Sequence, residues 1–167
     1  KAAGAIYRVP ASGGSVTEAT ALQEDDLLHR WPQFLPDGNR FLFYVKTGGR
    51  DTTGTYLASL GKPGRTLVLR NGATGVFVPP ATLLYGRGSA LLAQHFDPGT
   101  GDLSGSADTI VRPVALAELG SFIHLFTVSQ TGVLVYRAGR PPPRLTRVGR
   151  KGPGRGDDIV EGDDHRP

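Results

Sequence analysis

The 167 residues contain no cysteine, no methionine and only one tryptophan. Without cysteine the chain has no disulfide framework, no thiolate metal site and no thiol nucleophile, and the compartment is left open. No apolar run approaches the roughly 20 residues that span a bilayer as a helix, so this segment is expected to make no membrane contact. Lys1 opens the chain without a methionine, directly before a strand-like stretch, and the sequence reads as part of a longer polypeptide. Catalytic signatures are missing as well. No G-x-S-x-G elbow presents a serine, and Ser59, Ser89 and Ser129 stand in strand or turn contexts with no patterned base. Neither a G-x-x-x-x-G-K-[ST] loop nor the kinase set of Gly-rich loop, strand lysine and catalytic aspartate occurs, so phosphoryl transfer by those routes is excluded. The chain is read as non-enzymatic.

Cofactor and metal chemistry find no footing either, and none is expected. The four histidines, His29, His95, His124 and His165, do not pair at metal-ligand spacing. Asp97, Asp102 and Asp108 miss the calcium-loop spacing and read as a connecting loop. A net charge of +4 and a pI near 9.7 come from scattered arginines until the C-terminus. A nucleic-acid partner is not expected from so diffuse a charge. Arg155-Gly156-Asp157 spells an adhesion tripeptide in a tail where such a match arises by chance.

What is abundant is punctuation. Glycine (24) and proline (13) far exceed the roughly 12 % expected of the two together. Both weaken helix interiors, so the composition points to short strands and many turns. Alternation and β-branched or aromatic content between Gly, Pro and Asp mark the strands. Ala5–Val9 is the first, with a short partner at Ser15–Ala19, and Ala21–His29 reads as loop. Gln33–Leu35, Arg40–Val45, Gly54–Leu60 and Arg65–Arg70 follow. Between the first two, Pro36-Asp37-Gly38-Asn39 is a tight turn, with Asp37 bonding nearby amides. Gly75–Val78, Thr82–Tyr85, Ala90–Phe96 and Asp108–Ala115 repeat the series, with Asp97–Ala107 as connection. Pro113 argues that the last of these is an edge strand. Phe122–Val128, Val133–Arg137 and Pro143–Val148 begin a third copy.

Phe34 to Phe77 spans 43 residues, and the turn glycines Gly38 and Gly132 lie 94 apart, two steps of about 47. Four strands repeating every 40–50 residues are the signature of a propeller blade. The predicted fold is therefore all-β, a partial β-propeller of about two complete four-stranded antiparallel blades plus parts of two others. Residues 1–30 close a preceding blade and connect onward. Residues 31–72 and 73–120 are blades, 121–148 an incomplete blade, and 149–167 a tail too polar to offset its ordering entropy.

Trp31-Pro32-Gln33-Phe34-Leu35-Pro36-Asp37-Gly38-Asn39-Arg40-Phe41-Leu42-Phe43-Tyr44 resembles the core motif of TolB-like, WD-like bacterial β-propeller repeats, in which a Pro-Asp-Gly turn links the inner two strands of a blade. Ile6–Gly14, Gly54–Leu57, Tyr85–Arg87 with Ala93–Asp97, and Val128–Arg137 look like further blade segments, so the likeness covers roughly residues 1–148. The middle blade departs from it, with Pro79-Pro80-Ala81 in place of Pro-Asp-Gly. The succession is similar to propellers attached C-terminally to bacterial transmembrane serine/threonine kinases. That resemblance implies a periplasmic or extracytoplasmic sensor module, completed by the remaining blades of its parent chain. Stand-alone periplasmic propellers and the propeller domains of prolyl-oligopeptidase-type hydrolases carry the same turn and are the alternative. For a binding module the candidate contacts are His29, Arg30 and Trp31, just before an inner strand where propeller loops line the channel mouth. A protein, peptide or glycan is the partner class.

Overall fold

The computed structural model describes residues 4–71, 73–117, 123–129 and 131–140, and none of the described residues is helical. The predicted strand at Pro143–Val148, the tail from 149 and its Arg-Gly-Asp tripeptide lie outside them. Twelve strands fall into four sheets. A hairpin of β1 (Tyr7–Arg8) and β2 (Thr17–Glu18) comes first. It is followed by a four-stranded antiparallel meander of β3 (Asp26–Phe34), β4 (Arg40–Thr47), β5 (Gly54–Ser59) and β6 (Thr66–Leu69). The second meander is β7 (Gly75–Val78), β8 (Thr82–Arg87), β9 (Ala90–Phe96) and β10 (Leu103–Val111). A hairpin of β11 (Phe126–Val128) and β12 (Leu134–Tyr136) ends the described chain.

Sequential antiparallel order in both meanders is what tight turns impose, because a two- to six-residue link can only return the chain beside itself. The Pro36–Asn39 turn forms as its residues dictate. Gly38 takes φ +66°, and Asp37 Oδ1 accepts from the backbone N–H groups of Asn39 (2.9 Å) and Arg40 (2.8 Å). These bonds, together with the Arg40 guanidinium on Oδ2 (2.5 Å), hold the Asp37 carboxyl at about 2.

The sheets stack face upon face, and alternation along each strand decides which residues meet. Phe41, Phe43 and Val45 of β4, with Tyr56 and Ala58 of β5, pack against Ile6 and Ala19 of the first hairpin. The opposite face presents Leu42, Leu57 and Leu69 to Phe77, Leu83, Tyr85, Leu92 and Phe96 of the second meander. That meander turns Leu84 and Leu91 toward Phe126, Val128 and Leu134 of the last hairpin. A strand buried on both faces reads as a continuous apolar run, which is why Phe41-Leu42-Phe43-Tyr44-Val45 has no polar interruption. Polar side chains also tie the layers. The Gln33 amide bonds both backbone groups of Phe77 (3.1 and 2.8 Å). Thr55 Oγ1 donates to Ala73 O and accepts from the Gly75 N–H, each at 2.9 Å.

Two predicted loops are strand instead. Residues 26–29, read as loop, begin β3, because Asp26 and His29 carry hydrogen-bond partners that hold them against β4. Residues 103–107, read as connection despite their Gly and Ser, belong to β10, where pairing to β9 proceeds through a register shift between Ser104 and Asp108. Gly105 there takes φ +69°, the conformation a bulge needs. β10 lies at the edge of its sheet but ends at Val111 rather than Ala115, so Pro113 is not part of it and its carbonyl instead accepts from the Gly139 N–H at 2.9 Å. The described strands form stacked sheets and no closed ring.

Candidate functional site

The stretch Asp26–Phe34 carries both a buried polar cluster and an exposed aromatic–cation pair. Alternation turns Arg30 away from His29, and the register slip at Trp31 keeps its ring out in solvent as well. His29 points inward and is buried, while Arg30 and Trp31 face solvent. The three candidate residues are therefore neighbours in sequence on opposite sides of one strand.

On the buried side, His29 Nδ1 lies 2.8 Å from Thr20 Oγ1 and its Nε2 lies 3.0 Å from Asp26 Oδ2. The ionised Asp26 carboxylate can only accept, so the ring carries its hydrogen on Nε2, and Thr20 Oγ1, which accepts from the Ile6 N–H at 2.9 Å, donates its own proton to Nδ1. Arg65, from the link before β6, closes the cluster with both guanidinium nitrogens on Asp26 (2.6 and 2.9 Å) and one on Gln23 Oε1 (2.9 Å). Its guanidinium lies 4.5 Å over the Tyr56 ring. The Asp26 side chain is 1 % exposed and that of Arg65 10 %.

Burial pushes the Asp26 carboxyl up, but the hydrogen bonds from Arg65, the Gln23 N–H and His29, with the Arg65 charge, outweigh it and hold it at about 2. Burial lowers His29. Asp26 opposes that shift and the Arg65 charge adds to it. The ring stays neutral near pH 7, edge-on to Phe43 with centroids 5.1 Å apart. A hydroxyl, imidazole and carboxylate in a row can serve nucleophilic catalysis. Here the imidazole is covered and the carboxylate is already neutralised by arginine, so the row acts as a clamp joining the first hairpin, β3 and the β5–β6 link.

On the exposed side, Trp31 is 41 % accessible and sits at φ +53°. A bulky side chain in left-handed conformation is a genuine outlier. It occurs where the β3–β4 register slips between Arg30 and Gln33, and a bulge of this kind re-aims a side chain. The Trp31 ring leans on Tyr44, centroids 5.1 Å apart, and the Arg30 guanidinium lies 5.8 Å from its centroid. Burial raises the Tyr44 hydroxyl and the Arg30 charge moderates the rise. The result is one exposed indole face, tilted 49° to the buried Tyr44 ring beneath it, with a cation beside it.

The sequence reading named His29, Arg30 and Trp31 but not the partners of His29. Asp26-x-x-His29 carries a faint signal in its spacing. Thr20 and Arg65 carry none, since Arg65 comes from 39 residues beyond Asp26. Of the other histidines, His95 is exposed and bonded to Ser104 Oγ at 2.9 Å. His124 is buried with Nε2 donating to Gly88 O at 2.9 Å and Nδ1 without a partner. His165 lies outside the described residues. Among the described residues no three His, Asp or Glu side chains converge on a metal-sized space. No protein-family model, curated protein or solved structure matches this chain.

Proposed function

We propose that the chain is part of a β-propeller of the TolB-like kind and works as a non-catalytic binding module, with Arg30 and Trp31 meeting the partner. We place it in the extracytoplasmic part of a bacterial serine/threonine kinase, on the sequence resemblance alone. The supporting observation is Trp31 itself. An exposed indole in a strained conformation has a cost of order 1–3 kcal/mol that a purely structural position has no reason to keep. Aromatic faces bordered by arginine accept the apolar face of a sugar ring or a peptide side chain while the guanidinium pairs with a carboxylate. His29 serves this surface from behind by fixing the strand.

As the sole tryptophan, Trp31 reports its own occupancy. Its fluorescence is titrated with two probes, a carboxylate-rich peptide set and a neutral oligosaccharide set. A saturable change with a member of either set, lost in Arg30→Ala while the melting curve stays that of wild type, supports the reading. Flat titrations with both sets, together with a clear loss of stability in Trp31→Ala, would show Trp31 to be a packing residue only.

A further inference from the structure

Every strand of the two meanders that runs toward one end of the stack finishes on or beside a cation. We infer that this end, with Trp31 at its border, receives an acidic polysaccharide whose sugar rings carry carboxylates. The inference deepens the binding reading above and rests on it.

Antiparallel order fixes which residues share the end. There β3, β5, β7 and β9 begin and β4, β6, β8 and β10 finish. The two meanders are aligned the same way. Thr55, near the start of β5, bonds Ala73 and Gly75 at the start of β7. At the opposite end the Arg40 guanidinium, at the start of β4, donates to Pro98 O in the β9–β10 link. Lys46 is the penultimate residue of β4, Arg70 follows the last residue of β6, Arg87 closes β8 and Arg112 follows the last residue of β10. The four strands that run the other way finish on Phe34, Ser59, Val78 and Phe96, none of them charged. Arg50 in the β4–β5 loop joins the set, and Arg30 stands opposite Tyr44, two residues from Lys46 on the same face of the sheet.

These cations are not spent on the fold. Among the described residues, Arg40 and Arg65 are the meander cations that meet a carboxylate, that of Asp37 and that of Asp26. Glu24, Asp25 and Asp51 belong to the same end but pair with none of the six. Arg70 donates to the Asp51 carbonyl at 3.3 Å, and Arg30 and Arg87 lie over the rings of Trp31 and Tyr85, contacts that leave the positive charge uncompensated. All but the half-buried Lys46 are exposed. The opposite end is balanced, with Arg40 and Lys62 against Asp37, Asp97 and Asp102. Lys46 shares the Tyr44 face of β4, which looks to the second meander, and Arg87 shares the Tyr85 face of β8, which looks back to the first. The two come from either side of one interface, beside the exposed indole.

The mixture of groups selects among polyanions. A pyranose lays its apolar face on an indole, and a uronate adds to the ring a carboxylate that a guanidinium grips with two parallel bonds. Single-stranded nucleic acid asks for successive aromatic platforms along a basic groove. In the meanders Trp31 is the exposed ring on this side, since Phe34, 56 % exposed, ends β3 at the far end. An acidic peptide satisfies the cations but offers the indole no rigid apolar face.

The full 167-residue chain is titrated, by Trp31 fluorescence and by calorimetry, with oligogalacturonate and oligomannuronate, with their methyl esters, and with polyglutamate and single-stranded DNA of matched charge. At least one uronate is expected to bind saturably, more weakly as salt rises, and roughly tenfold tighter than its methyl ester. Lys46→Gln, Arg87→Gln and Arg112→Gln each weaken that binding about threefold with wild-type melting curves, and Lys62→Gln at the opposite end leaves it unchanged. Should one of the three melt early, the other two carry the comparison. Methyl esters that bind as well as the acids overturn the inference, as do polyglutamate or DNA binding as tightly as the uronates, and so do end variants that bind like wild type. Uronate binding that survives Trp31→Ala intact removes the stacked sugar and the Trp31 reading with it. If neutral oligosaccharides shift the fluorescence and the end variants leave that shift unaltered, the inference falls and the Trp31 reading stands. Flat titrations with every probe sink both.

Discussion

Replacing Arg65 by methionine tests the buried clamp most directly. Methionine keeps the length and apolar stem, so packing over Tyr56 is largely preserved, while Asp26 loses its countercharge. Breaking a buried pair by removing one partner costs about 3–5 kcal/mol. Asp26 retains the Gln23 N–H at 2.7 Å and His29 at 3.0 Å, and the expected loss at pH 7 is therefore at the lower end, about 3 kcal/mol. The pH dependence gives an independent figure. Asp26 is held at about 2 against an ordinary 3.8, which at 1.36 kcal/mol per unit amounts to about 2 kcal/mol. A depressed carboxyl stabilises the fold above its unfolded value, so this contribution is complete above about pH 4 and disappears as pH falls toward 2. The lowered His29 acts in the same direction at higher pH. The unfolded ring takes up a proton near 6.5 and the folded ring only at lower pH, so stability begins to fall below pH 6.5. Urea unfolding from pH 7 to pH 3 measures both. Wild type should weaken in two stages, and Asp26→Asn should fall less steeply below pH 4, where Asp37 alone of the two lowered carboxyls remains. An Arg65→Met protein within 0.5 kcal/mol of wild type at pH 7, or an Asp26→Asn profile that falls as steeply as wild type below pH 4, would refute the clamp.

Gly86 lies under the His124 ring, where an added Cβ would come within 1.8–2.1 Å of three ring atoms. Gly86→Ala is expected to lower stability by about 1–3 kcal/mol through overpacking, and Gly86→Ala with His124→Ala should recover part of that in a thermal melt. Equal loss in the single and double variants would place the strain elsewhere. Gly38→Val puts a β-branched residue at φ +66° with nothing within 4 Å of its Cβ. The loss, about 1–2 kcal/mol, is then purely conformational, and Gly38→Asn should be milder than valine in the same melt.

Most of the strand content was legible because two signals coincide in this chain. Turn residues mark the ends, and apolar runs mark strands covered on both sides. Gly75–Val78 and Ala90–Phe96 match the structure residue for residue. Where the signals part, the reading failed. Asp26 and His29 are polar because their partners are Arg65 and Thr20, so the segment lacked a strand's alternating signature. Residues 103–107 pair although their glycine and serines speak for a loop, since backbone hydrogen bonds to β9 do not depend on side-chain type.

The sequence alone determined that the chain is β-rich, where its turns lie and that its sheets recur with apolar residues on both faces. Those properties come from local backbone preference and period-two alternation, which neighbouring residues settle between themselves. Tertiary structure decided which face of β3 is buried, that His29 serves the clamp and Trp31 the surface, and that Phe34 is bare where Phe77 is covered. Each of these depends on what stands across a sheet or beside it, tens of residues away, and no local pattern encodes that distance.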